Sequence, residues 1–245
     1  MAYFQFLGTG PSTPITDAAG RNYRRRSSAL MQNIATYVLV DCTHDFDEQI
    51  EAALSVTGVV VVNASRDAAG GLGKLDKWSE HPLPFLAPDD LWAEAVERYG
   101  PFTTLEHTPL VPGIALAFGD VEITAFALES QATDGSRPNY GYHFDTGKKK
   151  VTYASDFKQI PDESQRFFRG NDILVVDAAG WDKDLPTHRG ALNHLTDYVA
   201  GGNETIIFTD VGRSAPPHSL ASQAVRRIYH RADVAFDFMK IPLGR

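Results

Sequence analysis

Short apolar or alternating runs recur along the chain with turn residues between them: Tyr3 to Leu7, Ser28 to Gln32, Tyr37 to Asp41, Gly58 to Asn63, Ile114 to Phe118, Val121 to Ala127, Tyr140 to Asp145, Lys150 to Ala154, Ile173 to Asp177, Thr205 to Thr209 and Val234 to Ile241. Runs of this length and composition predict β-strands. Five other segments, Asp45 to Ser55, Asp89 to Tyr99, Asp162 to Arg169, Ala191 to Ala200 and Leu220 to Arg231, carry apolar residues at helical spacing. Most have Asp, Ser or Thr near the first turn, where such side chains satisfy free backbone amides. The helices follow pairs or groups of strands and not every strand. That order argues against a doubly wound nucleotide-binding fold and for two sheets covered by helices on their outer faces. No repeat, low-complexity stretch or Pro/Gly/Ser-rich linker interrupts it, so residues 1–245 read as one domain.

The N-terminus has no charged leader and reads as a strand entering a glycine turn. No apolar run approaches the roughly 20 residues that span a bilayer, and a cytoplasmic protein is expected. A hydrophobic content of 43% in 245 residues is that of a globular chain and excludes a disordered or fibrous one. A net charge of -8, from 23 Lys and Arg against 31 Asp and Glu, disfavours wrapping of nucleic acid and adhesion to anionic membrane. The single cysteine, Cys42, allows no internal disulfide and excludes Cys-rich zinc sites, which leaves eight histidines as the candidate soft ligands.

The strand Gly58 to Val62 runs into Asn63-Ala64-Ser65-Arg66-Asp67-Ala68-Ala69-Gly70-Gly71-Leu72. This resembles the metal-binding motif of the metallo-β-lactamase superfamily, His-x-His-x-Asp-His-x-x-Gly-Leu. Other segments are similar to that family in order: Leu7-Gly8-Thr9-Gly10, Arg26-Ser27-Ser28, Val40-Asp41-Cys42, Ile123 to Leu128, Gly141-Tyr142, Thr152 to Asp156 and Ile206 to Asp210. The close, Ala235-Phe236-Asp237-Phe238-Met239, resembles the branch holding the phosphonate-pathway cyclic phosphodiesterase and the pyrroloquinoline-quinone synthesis B protein. The resemblance spans nearly the whole chain. It implies an α/β fold, an αββα four-layer sandwich of two mixed sheets flanked by helices.

Carried over residue by residue, the resemblance puts Asn63, Ser65, Ala68, Ser130 and Asp210 where the family has histidine ligands, and keeps Asp67 and Asp156. Alanine coordinates nothing, and Asn and Ser offer only neutral oxygens, so a zinc pair held in the family manner is not expected. Three aspartates in one pocket repel one another and demand either protons or a cation. One reading is a hard cation, Mg²⁺ or Ca²⁺, on Asp67, Asp156 and Asp210. The other is that the aspartates are structural, holding turns and loop amides with a basic neighbour such as Arg66.

His188 matches a loop histidine that in the phosphodiesterase branch stands beside the substrate, so His188 with Asp156 or Asp210 is the acid/base pair implied for any surviving chemistry. It equally fits an exposed loop residue. His44 either faces the pocket or caps the helix from Asp45. Arg24, Arg25, Arg26, Arg66 and Arg213 are candidates to clamp a phosphate or carboxylate, against the alternative of a solvated loop. Cys42 closes a buried strand and reads as structural, with His44 its one basic neighbour. Trp78, Trp92 and Trp181 line a cleft or pack. Substrate selection is expected in loops such as Lys74 to Leu91 and Gln131 to Asn139. The expected function is therefore a protein that has lost zinc-dependent hydrolysis and binds an anionic small molecule or a protein partner, with a homodimer possible. The competing function is a hydrolase of phosphodiesters or related esters using a non-zinc cation or a metal-free acid/base site.

Overall fold

The computed structural model describes residues 2–13, 15, 23–53, 55–130 and 138–244. The chain opens with β1 (Tyr3–Gly8), β2 (Ser28–Asn33), β3 (Thr36–Val40), helix α1 (Phe46–Ile50) and β4 (Gly58–Val60). Helices α2 (Arg66–Ala69) and α3 (Leu72–Trp78), β5 (Leu83–Ala87), α4 (Asp89–Tyr99) and β6 (Leu105–Pro109) follow. A second group comprises β7 (Leu116–Phe118), β8 (Val121–Ala127), β9 (Tyr140–Asp145), β10 (Lys150–Ala154), a 3-10 helix (Asp162–Phe168) and β11 (Ile173–Asp177). It continues through α5 (Ala191–Ala200), β12 (Thr205–Thr209), α6 (His218–Ile228) and β13 (Ala232–Val234), and β14 (Lys240–Pro242) returns to pair with β1.

The strands form two mixed sheets, ordered β14-β1-β2-β3-β4-β5-β6 and β13-β12-β11-β10-β9-β8-β7. Each has an antiparallel half and a parallel half: β3 to β6 run parallel in the first, β10 to β13 in the second. The two-residue period of a strand decides which core each side chain joins. On β11, Ile173 and Val175 enter the core between the sheets, whereas Leu174 and Val176 enter the core shared with α5 and α6. β12 divides the same way, Ile207 inward against Ile206 and Phe208 outward. A strand buried on both faces must be an unbroken apolar run, which is why β11 and β12 stand out in the sequence. The architecture is the two-sheet, helix-flanked sandwich that the strand order and the resemblance imply. Among the described residues, no helix is long and apolar enough to cross a membrane.

Several expected boundaries move, each for a local reason. The strand expected over Gly58 to Asn63 ends at Val60, because beyond it the Asp41 carboxylate takes the Val62 amide. The strand expected over Val234 to Ile241 is two strands of different sheets. Ala235 still bonds Phe208, whereas Phe238 bonds Phe6, so the chain crosses between sheets at Phe236-Asp237-Phe238. The stretch Lys74 to Leu91, expected as a loop, contains most of α3, all of β5 and the start of α4. Pro84 masks β5, and polar Glu106, His107 and Thr108 mask the edge strand β6. The helix expected over Asp45 to Ser55 is shorter, and Asp162 to Arg169 is a 3-10 turn. Two tryptophans pack, Trp92 stacked on His107 and Trp181 in the core beneath α5 and α6, whereas Trp78 meets Phe46 edge-on but stays exposed.

Candidate functional site

The parallel strands deliver a set of aspartates at their carboxyl ends. Asp41 follows β3, Asp156 lies two residues beyond β10, Asp177 closes β11, and Asp210 follows β12. Asp41, Asp156 and Asp210 each take left-handed backbone angles, with φ of 61°, 55° and 53°. Asp tolerates that region because its short polar side chain can bond locally, and such residues concentrate at functional turns. These turns open on a cavity of about 180 Å³ whose wall includes Arg26, Asp41, Asp67, Asp156, His188 and Asp210.

His188 comes from the loop between β11 and α5. Its Nδ1 lies 2.7 Å from Asp177 Oδ2 and its Nε2 3.8 Å from Asp156 Oδ1. Opposite a carboxylate, Nδ1 is the donor. Burial opposes the charge on the ring, but the Asp177 carboxylate outweighs it, and with Asp210 and Asp156 it raises the His188 pKa to about 10. The bond to Asp177 and the carboxylates around the ring favour its imidazolium form. The carboxyls around it move the other way. Burial lifts Asp156 to about 6 against the opposing His188 charge, and lifts Asp41 to about 7 against bonds from the Val62 amide and Tyr153. Asp210 is pushed well above the carboxylate range by burial and then by Asp177. Among the described residues, Asp177, His188 and Asp210 offer ligand atoms within 4.8 Å of one another.

The remaining candidates divide between the pocket and its supports. Asn63 Nδ2 donates to Asp156 Oδ2 at 2.7 Å and to Asn139 Oδ1 at 3.1 Å. The Ser65 hydroxyl accepts the Ala68 amide as the cap of α2. Asp67 is half exposed with its Oδ1 3.5 Å from Arg26 Nε. Ser130 is not among the cavity walls, and the adjoining 131–137 segment lies outside the described residues, as do Arg21 and Asn22.

Of the five arginines, the cavity wall takes Arg26, which also bonds Asp45 at 2.7 Å. Arg24 is buried, donating to Thr9 Oγ1 and the Ala235 carbonyl, each at 2.7 Å, and burial lowers its pKa to about 10. Arg25 pairs with Glu48 and Asp237 and lies over the rings of Tyr23 and Phe238. Arg66 donates to His44 Nε2 at 2.6 Å, and Arg213 is exposed outside the wall. The three adjacent arginines thus do not form one clamp: consecutive residues of an extended segment point in alternate directions. His44 does not cap α1, whose first amides receive no side-chain bond at the cap position.

Asp41 and Asp177 were not candidates from the sequence. The signal that finds them is a repeated pattern, an apolar strand ending in aspartate, at Val40-Asp41 and Val176-Asp177 as at Thr209-Asp210.

The fold has counterparts among known proteins. A model of the Beta-lactamase superfamily domain matches residues 36–235. No curated protein matches the chain. Among solved structures, a diphosphatase from the PhnP family superposes with a TM-score of 0.84 at 23% identity, covering 98% of this chain and 96% of its own. The metallo-beta-lactamase fold protein YhfI from Bacillus subtilis superposes at 0.82 with 16% identity, covering 98% of each chain. Zn(2+)-bound PqqB from Methylobacterium extorquens superposes at 0.81 with 14% identity, covering 98% of this chain and 100% of its own.

Proposed function

The chain belongs to the Beta-lactamase superfamily domain family, and from that premise we propose that its pocket is a zinc-independent site that binds a small anionic molecule. The donor set argues against a zinc pair, which needs imidazole or thiolate nitrogen and sulfur around each ion. Where the family resemblance calls for imidazoles, the chain has Asn63, Ser65, Ala68 and Ser130. The Asn63 amide is committed to Asp156 and Asn139, the Ser65 hydroxyl caps a helix, and Asp67 leans on Arg26. These residues do not fit the family's dinuclear centre.

The observation that carries the reading is the 2.7 Å bond between His188 Nδ1 and Asp177. It keeps a positive charge inside the cavity, with Arg26 as a second cation on the wall. The Asp210 carboxyl, pushed towards its protonated form, becomes a donor to a ligand oxygen instead of repelling it. A phosphate group is the ligand chemistry we assign, and a diphosphatase is among the structural neighbours. His188 Nε2, facing Asp156 across 3.8 Å, is the proton-bearing atom for any acid/base step.

Inorganic phosphate binding, measured by calorimetry in the presence of chelator, tests the reading. We expect binding in the parent chain and its loss in His188→Gln. Two equivalents of transition metal in protein purified without added metal would overturn it. A second reading is favoured by the Asp177 and Asp210 carboxylates, whose oxygens lie within 4.8 Å of one another: a hydrolase of phosphodiesters using a hard cation. That reading predicts turnover of a generic phosphodiester that appears with Mg²⁺ or Ca²⁺ and vanishes with chelator.

A further inference from the structure

The loop carrying His188 leaves β11 and returns at α5. Its ends pair through Gly180 and Gly190, and its tip closes where the Leu185 amide donates to the His188 carbonyl at 3.0 Å. Asp177 fixes the inner nitrogen of the ring. Where the outer nitrogen stands relative to Asp156, on the loop after β10, depends on what joins the two loops.

Lys158, two residues beyond Asp156, makes that join. Its Nζ lies 3.1 Å from Asp184 Oδ2 and 3.4 Å from the His188 carbonyl. Asp184 Oδ1 accepts the Gly190 amide at 2.7 Å and stands 3.2 Å from His194 Nε2 on α5. One carboxylate thus ties the end of the His188 loop, the following helix and the Asp156 loop together. The Gly190 bond first, and Lys158 with it, hold its pKa down to about 2, so it stays charged throughout the neutral range. The pair is partly exposed, with side chains 20% and 44% accessible, and exposed ion pairs contribute little to stability. Its geometric effect is larger. The 3.8 Å between His188 Nε2 and Asp156 Oδ1 is too long for a hydrogen bond, and that gap leaves these two atoms unbonded to each other and able to meet a ligand.

We propose that Lys158 and Asp184 are positioning residues, forming a strut that sets the distance between His188 and Asp156. The inference rests on the pocket reading above only for its functional consequence. Its test is a double-mutant cycle of Lys158→Met, Asp184→Asn and the double variant, with Lys158→Arg as the conservative control. The readouts are solvent exchange of the His188 Nδ1 proton and of the amides of residues 185–190, followed by nuclear magnetic resonance, and affinity for inorganic phosphate. Each single variant is expected to speed loop and ring exchange by about tenfold, the double by no more than either single, and Lys158→Arg to resemble the parent. Affinity should fall in parallel. Unchanged exchange in Lys158→Met, or effects that multiply in the double variant, would overturn the strut. A parent chain that binds no phosphate, while the exchange cycle behaves as expected, overturns the pocket reading and supports the strut.

Discussion

Replacing Asp177 by asparagine tests the electrostatics of the pocket at its source. The Asp177 carboxylate accepts three donors: His188 Nδ1 at 2.7 Å, the Asp156 amide at 2.9 Å and the Ala179 amide at 2.6 Å. Asparagine keeps the shape and one acceptor oxygen and removes the charge. With His188 raised from 6.5 to about 10, the folded chain holds a proton that the unfolded chain releases over that interval. Stability therefore falls as pH rises: the contribution is complete below pH 6.5 and is lost as pH passes about 10. Linkage makes it about 4 kcal/mol at pH 7 and roughly 1 kcal/mol at pH 9. In Asp177→Asn the main raising charge is gone while burial still lowers the ring, so His188 should titrate well below the parent. Urea unfolding at pH 7, 8 and 9, with the His188 ring followed by nuclear magnetic resonance, measures both effects. The parent should lose about 3 kcal/mol between pH 7 and 9 that the variant does not lose. Parallel stability profiles, or a parent ring titrating near 6.5, would refute the reasoning.

Asp76 is a structural counterpart with the opposite sign. Its buried carboxylate accepts the amides of Thr103, Thr104 and Leu105 and both threonine hydroxyls, and despite burial these bonds bring its pKa down to about 2. Asp76→Ala should cost about 3 kcal/mol in urea unfolding at pH 7 by leaving those amides unpaired. Because the Asp76 contribution is present above pH 3.8 and is lost as pH falls towards 2, the variant should also show a flatter acid limb. Gly212→Ala would set a Cβ 2.3 Å from the Ala179 carbonyl oxygen, forcing apart the loops after β11 and β12. We expect a loss of about 2 kcal/mol by the same assay and weaker phosphate binding. Cys42 is fully buried, and burial first, then Asp41, pushes its thiol well above the ordinary value. It should resist an aromatic disulfide reagent in the native protein and react once urea unfolds the chain.

The sequence alone determines much of this protein. Strands such as β8 to β12 are legible because burial on one or both faces imposes a two-residue alternation or an unbroken apolar run. Helices α4 and α5 keep the bounds their apolar spacing predicts. Asn63, Ser65, Ala68 and Ser130 can likewise be read off where the family resemblance calls for imidazoles, since residue identity needs no coordinates. Strand β5 escapes because Pro84 interrupts its pattern, and the crossing at Phe236 to Phe238 escapes because one apolar run serves two sheets.

Tertiary structure alone decides the chemistry of the pocket. Asp177 and His188 are eleven residues apart, and only the fold of the intervening loop brings them to 2.7 Å. Arg24, Arg25 and Arg26 look alike in sequence, yet the first is buried beneath the loops, the second lies over the rings of Tyr23 and Phe238, and the third reaches the cavity. A charge acquires its role from its distance to other charges and from the water it loses, and both are properties of packed neighbours. The chain specifies which groups exist; the convergence of strand ends from two sheets determines which of them hold a proton.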